Sequence, residues 1–152
     1  MNKITIAIAV ILVLVAGWYF LKPGENLGQD NQMDQDNQAE APKTLVVQLE
    51  PQNDSGISGT ATLTDAAEGS EVVISLAGSP LDILQPAHIH LNNCANIGGV
   101  EYPLNFPLNG RSETMLDVSV DEILVNLPLS INVHKSVAEA SVYVACGDIV
   151  AP

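Results

Sequence analysis

Pro86-Ala87-His88-Ile89-His90-Leu91 and Leu129-Ser130-Ile131-Asn132-Val133-His134 are the two stretches whose reading decides the fold of this chain. In both, apolar residues alternate with polar ones at period two, as in a strand that has one face in a core. Ala87, Ile89 and Leu91 take the core face of the first stretch, and Leu129, Ile131 and Val133 that of the second. His88, His90 and His134 are thereby sent to the opposite face, outside the sheet. They are the only three histidines in the 152 residues.

The same period recurs on either side. Leu45, Val47 and Leu49 alternate with Thr44, Gln48 and Glu50; Ala61 and Leu63 with Thr60, Thr62 and Thr64; Val72, Ile74 and Leu76 with Glu71 and Ser75. Two more strands are expected over 112–120 and 141–149, with Gly, Pro and Asn between them. About seven short strands imply an all-β sandwich or barrel. Residues 121–125 read as a single helical turn. Pro103 and Pro107, flanking Leu104-Asn105-Phe106, mark an irregular loop that shields the histidines.

Composition sets the surroundings. Five Lys and Arg stand against 18 Asp and Glu, a formal charge of −13. With no basic cluster, nucleic acid and anionic lipid surfaces are excluded as partners, because phosphate affinity comes from Lys and Arg releasing counterions. Residues 4–21 carry no charge and are long enough to cross a bilayer as a slightly short helix, and Trp18-Tyr19-Phe20 falls where an interfacial belt belongs. Residues 1–22 are therefore expected to be a membrane anchor, with a cleaved signal peptide as the alternative. Residues 23–42, rich in Gln, Asn, Asp and Gly, are expected to be an acidic disordered linker holding the remainder roughly 25 Å from the anchor. Residues 43–152 form the folded domain, expected outside the cytoplasm, or secreted if the leader is removed.

If the two strands are neighbours, the three outward imidazoles make a compact nitrogen site. Such a set suits copper, or zinc. The chain's two cysteines, Cys94 and Cys146, are expected to pair in an exported domain. That bridge would close a loop of about 50 residues, contribute roughly 4 kcal/mol by the chain-entropy model, and fasten the segment after His90 to the last strand.

The order Ala87-His88-Ile89-His90, Cys94, Asn132-Val133-His134-Lys135 and Ala145-Cys146-Gly147-Asp148-Ile149 resembles the skeleton of copper/zinc superoxide dismutase over residues 43–152. Pro86-Ala87-His88-Ile89-His90 and Ile131-Asn132-Val133-His134 are also similar to the chordin-type (CHRD) domain of bacterial exported proteins. The resemblance implies an eight-stranded Greek-key β-barrel, copper ligands at His88, His90 and His134, and a Cys94–Cys146 disulfide. The sequence departs from the dismutase pattern at the zinc site, for which no histidine remains. It departs again at the active-site arginine, whose position is Tyr143, and at the electrostatic loop, for which only residues 135–140 are available. Residues 43–152 hold three basic residues (Lys43, Arg111, Lys135) and thirteen acidic ones, a net of −10, so a superoxide anion is repelled unless Arg111 or Lys135 lies beside a solvent-open site. The reading is thus a membrane-tethered extracytoplasmic copper-binding domain with a dismutase-like fold and no zinc site. A copper-only superoxide dismutase and a metal-free adhesion or interaction module are the alternatives, so catalysis and any catalytic residue stay open.

Overall fold

The computed structural model describes residues 41–152. The expected anchor over 1–22 and all but the last two residues of the expected linker over 23–42 lie outside the described residues. Among the described residues no helix is long and apolar enough to cross a membrane.

Eight strands follow in order: β1 (Thr44–Pro51), β2 (Ser58–Asp65), β3 (Ser70–Ala77), β4 (Ala87–Leu91), β5 (Val100–Leu104), β6 (Arg111–Leu116), β7 (Leu129–His134) and β8 (Tyr143–Ile149). A 3₁₀ turn at Cys94–Asn96 follows β4, and one short helix, α1 (Val120–Val125), precedes β7. All pairings are antiparallel, in the spatial order β5-β4-β7-β8-β1-β2-β3-β6. The sheet curls into a nearly closed barrel. Its remaining opening, between β5 and β6, is bridged by Asn105, whose backbone N–H donates to Thr114 Oγ1 at 2.9 Å and whose Nδ2 donates to the Glu113 carbonyl at 2.6 Å. Besides β5 to β6, which spans this opening, two connections, β3 to β4 and β6 to β7, join strands that are not neighbours.

Period two accounts for the interior. Leu45, Val47 and Leu49 of β1, Ala61 and Leu63 of β2, Val72 and Ile74 of β3, Ala87 and Ile89 of β4, and Leu129, Ile131 and Val133 of β7 pack into one core. Ile123 of α1 closes it. The helix starts where Ser119 and Glu122 cap each other reciprocally, side chain to backbone in both directions, which satisfies two otherwise unpaired donors. That cap is also why the expected strand over 112–120 stops at Leu116.

Two expectations are corrected. Residues 100–104, not expected as a strand and overlapping the expected loop at Pro103 and Leu104, form the edge strand β5; Pro103 disguised it, yet proline is tolerated in a strand whose one side has no ladder partner. Leu91, expected in the core, is exposed. It ends β4 beside Asn92, which turns the chain at φ 66°.

Gly147 marks a close backbone approach. A Cβ there would strike the Gln48 backbone carbonyl and the Val47 side chain where β8 meets β1. We expect Gly147→Ala to lose about 1–3 kcal/mol, the usual cost of overpacking, read as a lower urea midpoint at unchanged slope. Stability equal to wild type would contradict the tight β1–β8 contact.

Candidate metal centre

β4 and β7 are neighbours, with His88 opposite Asn132 and His90 opposite Ser130. A regular ladder would leave His90 and His134 well apart along the strands. Both are re-aimed by irregular pairing on the far side: the β4–β5 register slips between Ile89 and His90, and the β7–β8 register between Val133 and His134. Such bulges bend a strand and redirect the side chain beside them. The three rings converge, with centroids 5.4 Å apart for His88 and His90, 5.2 Å for His88 and His134, and 6.0 Å for His90 and His134.

Each ring presents one nitrogen. His134 Nδ1 faces the Ala140 carbonyl and His90 Nδ1 the Gly98 carbonyl, the latter at 3.0 Å. A carbonyl only accepts, so both Nδ1 atoms carry the proton and both Nε2 atoms hold a free lone pair. His134 Nε2 lies 3.2 Å from His88 Nδ1. His90 Nε2 is buried with no hydrogen-bond partner. The ligand atoms of all three lie within 4.8 Å of one another. Bonds of about 2.0–2.1 Å to one ion require separations no greater than about 4 Å, which small ring rotations supply.

The donor set fits a metal ion. It is three imidazoles, one with an unpaired buried nitrogen, and two of the rings are already oriented by backbone carbonyls that accept from Nδ1, as the hydrogen-bond partners of metal-ligating histidines usually do. No free thiol competes among the described residues, because Cys94 and Cys146 form a disulfide with Cα atoms 6.0 Å apart.

The site is not the open one that the sequence suggests. His90 and His134 are buried and only His88 is partly exposed. The outer face of β7 is covered as well, so that Ser130 and Asn132 have no exposure although they point away from the core. The segment after β4 provides this roof. It folds back through Gly98 N–H to the Leu91 carbonyl at 2.7 Å and Leu91 N–H to the Gly99 carbonyl at 2.9 Å. It is pinned to β8 by the disulfide and by Cys94 N–H donating to Asp148 Oδ1 at 2.7 Å. Phe106 stands edge-on to His88 at 6.3 Å, and Tyr143 edge-on to His134 at 5.0 Å. Phe106 comes from the segment expected to shield the site. The role of Tyr143 was not legible, because it depends on the bulge that pairs it with His134.

Burial lowers the pKa of both His88 and His134 below 6.5; the neighbouring imidazoles add to this for His88, while the Ala140 carbonyl partly offsets it for His134. Near neutral pH the metal-free rings of His88 and His134 therefore stay neutral, as ligation requires. Because the unfolded chain takes up protons first as the pH falls, this contribution to stability is complete above about pH 6.5 and is lost as the pH drops through the lower folded values. Glu122, lowered chiefly by the Ser119 backbone N–H, acts in the more acidic range below 4.5. We expect the urea midpoint of the metal-free protein to fall between pH 7.5 and 5.5, and His88→Gln/His134→Gln to flatten that slope. An unchanged slope in the double variant would contradict the assignment.

Among the described residues the cations are paired with carboxylates. Lys135, next to His134, is paired with Glu139 at 2.8 Å; Arg111 is paired with Glu113 at 2.6 Å; Lys43 bonds Asp121. All three basic residues of the domain are thus engaged by carboxylates.

No family model, no curated protein and no solved structure matches this chain.

Proposed function

We propose that the chain is a membrane-tethered, extracytoplasmic copper-binding protein whose barrel is related to the copper/zinc superoxide dismutases and CHRD domains and has no zinc site. The observation that carries this reading is the convergence of His88, His90 and His134, one ring nitrogen of each within 4.8 Å of the others, with His90 Nε2 buried and unpaired. A buried imidazole nitrogen left without a partner costs on the order of 1–3 kcal/mol, and a bound ion removes that cost. Copper is favoured over zinc because three imidazoles without thiolate or carboxylate support both copper oxidation states, and imidazole sites bind Cu(II) more tightly than Zn(II). The strand order, with β7 beside β4 and β6 beside β3, supports a Greek-key barrel of the dismutase kind. The residue pattern 1–42 supports anchor and tether.

Binding or handling of copper is favoured over dismutation. Bound copper would supply one-electron redox chemistry, but fast dismutation also needs an anion drawn in and protons delivered. Here the basic residues are tied to carboxylates and Tyr143 stands at the arginine position. The full chain, loaded with copper and dialysed, should retain one equivalent and accelerate superoxide decay no more than the same concentration of free copper. Failure to retain copper would overturn the reading; decay far faster than free copper would establish the dismutase instead.

A further inference from the structure

We propose that the carboxamide of Asn132 is a fourth, weak donor of this site, an inference that rests on the metal-binding reading above. Asn132 stands in the middle of the face that the histidines share. It is the register partner of His88, lies two residues before His134 on β7, and lies two residues after Ser130, the partner of His90. Its side chain is 0% exposed, yet neither Oδ1 nor Nδ2 has a hydrogen-bond partner.

Buried carboxamides are almost always paired, and leaving one unpaired costs on the order of 1–3 kcal/mol. The strand itself does not require this residue: asparagine is disfavoured in strands, and a β-branched side chain would fill a covered position better. The cost is also localised. Of the eight buried side-chain polar atoms without partners among the described residues, four belong to His90, Ser130 and Asn132, on one patch under the roof. The acceptors among them, His90 Nε2, Ser130 Oγ and Asn132 Oδ1, stand on the face of the converging histidines and point to a cation as the occupant.

Three imidazoles leave a four-coordinate divalent ion one donor short. His88 is partly exposed, whereas Asn132, its register partner on the same face, is fully buried. A neutral carboxamide oxygen at that place acts like the weak axial oxygen donors known at copper sites. Being uncharged, it can be altered in two directions. An isosteric carboxylate strengthens the site for a divalent ion, and an isosteric alkyl group weakens it.

The test compares wild-type full chain with Asn132→Leu and Asn132→Asp, using Cu(II) and Zn(II) as probes in chelator competition and Cu(II) EPR on each. Asn132→Leu should lower Cu(II) affinity about tenfold while retaining the three-nitrogen signature, and Asn132→Asp should raise it. Both should shift the parallel g and hyperfine values. Asn132→Leu binding as tightly as wild type, or Asn132→Asp binding no more tightly, would overturn the inference. Should the leucine variant fail to fold, the sign of the aspartate effect decides alone. Failure of the wild type to bind metal is a separate result, and it removes the metal-binding reading instead.

Discussion

His134→Ala is expected to lower copper affinity at least about a hundredfold while leaving the metal-free fold intact. The expected size exceeds the 10–100-fold that loss of an outer-shell hydrogen bond costs, because a ligand itself is removed. His134 also has the most determined geometry of the three. Its Nδ1 is committed to the Ala140 carbonyl, its ring packs on Tyr143, and its Nε2 lies 3.2 Å from His88 Nδ1. The side chain points away from the core residues Ile131 and Val133, so truncation leaves the barrel interior untouched. Isothermal titration with chelator-buffered copper gives the affinity, and far-UV circular dichroism the fold. An affinity within threefold of wild type would show that the rings converge for some other reason.

Cys94→Ala/Cys146→Ala has the largest expected effect on stability. The bridge closes a loop across 52 residues of sequence, and constraining the unfolded chain over that span contributes about 4 kcal/mol in the entropy model. Native domains of this size hold only about 5–15 kcal/mol in total, so the double variant should unfold at markedly lower urea concentration. A second consequence follows from the position of the bridge. Cys94 anchors the segment whose Gly98 carbonyl holds His90 in its ligating tautomer. Without the anchor this roof opens more readily and His90 is less well oriented, so copper affinity should fall along with stability. Loss of stability with unchanged copper affinity would mean that Gly98 holds its place without the disulfide.

The sequence carried the histidine geometry only as far as local alternation extends. That Ile89, Ile131 and Val133 turn inward and the three imidazoles outward follows from period two, and the core bears this out. The pairing of Cys94 with Cys146 followed from their being the only two cysteines of the chain, together with the expectation of export. Burial of the site was not legible. It arises from the fold-back of 92–99, whose bonds from Gly98 and to Gly99 leave no periodic trace. The edge strand β5 was hidden because Pro103 reads as a breaker until the strand is known to lie at an opening. The bulges that aim His90 and His134 depend on β5 and β8 as partners, and no property of β4 or β7 alone announces them. Asn132 was visible as an outward residue, but its missing partners could emerge only from three-dimensional packing.

Cu(II) EPR of the purified full chain, with the disulfide intact, tests the central claim most directly. One bound copper per chain with nitrogen superhyperfine structure from three imidazoles, lost or reduced in each of His88→Ala, His90→Ala and His134→Ala, is the predicted result. A wild-type spectrum of free aqueous copper, or a bound spectrum that survives the loss of any one of these residues unchanged, would contradict it.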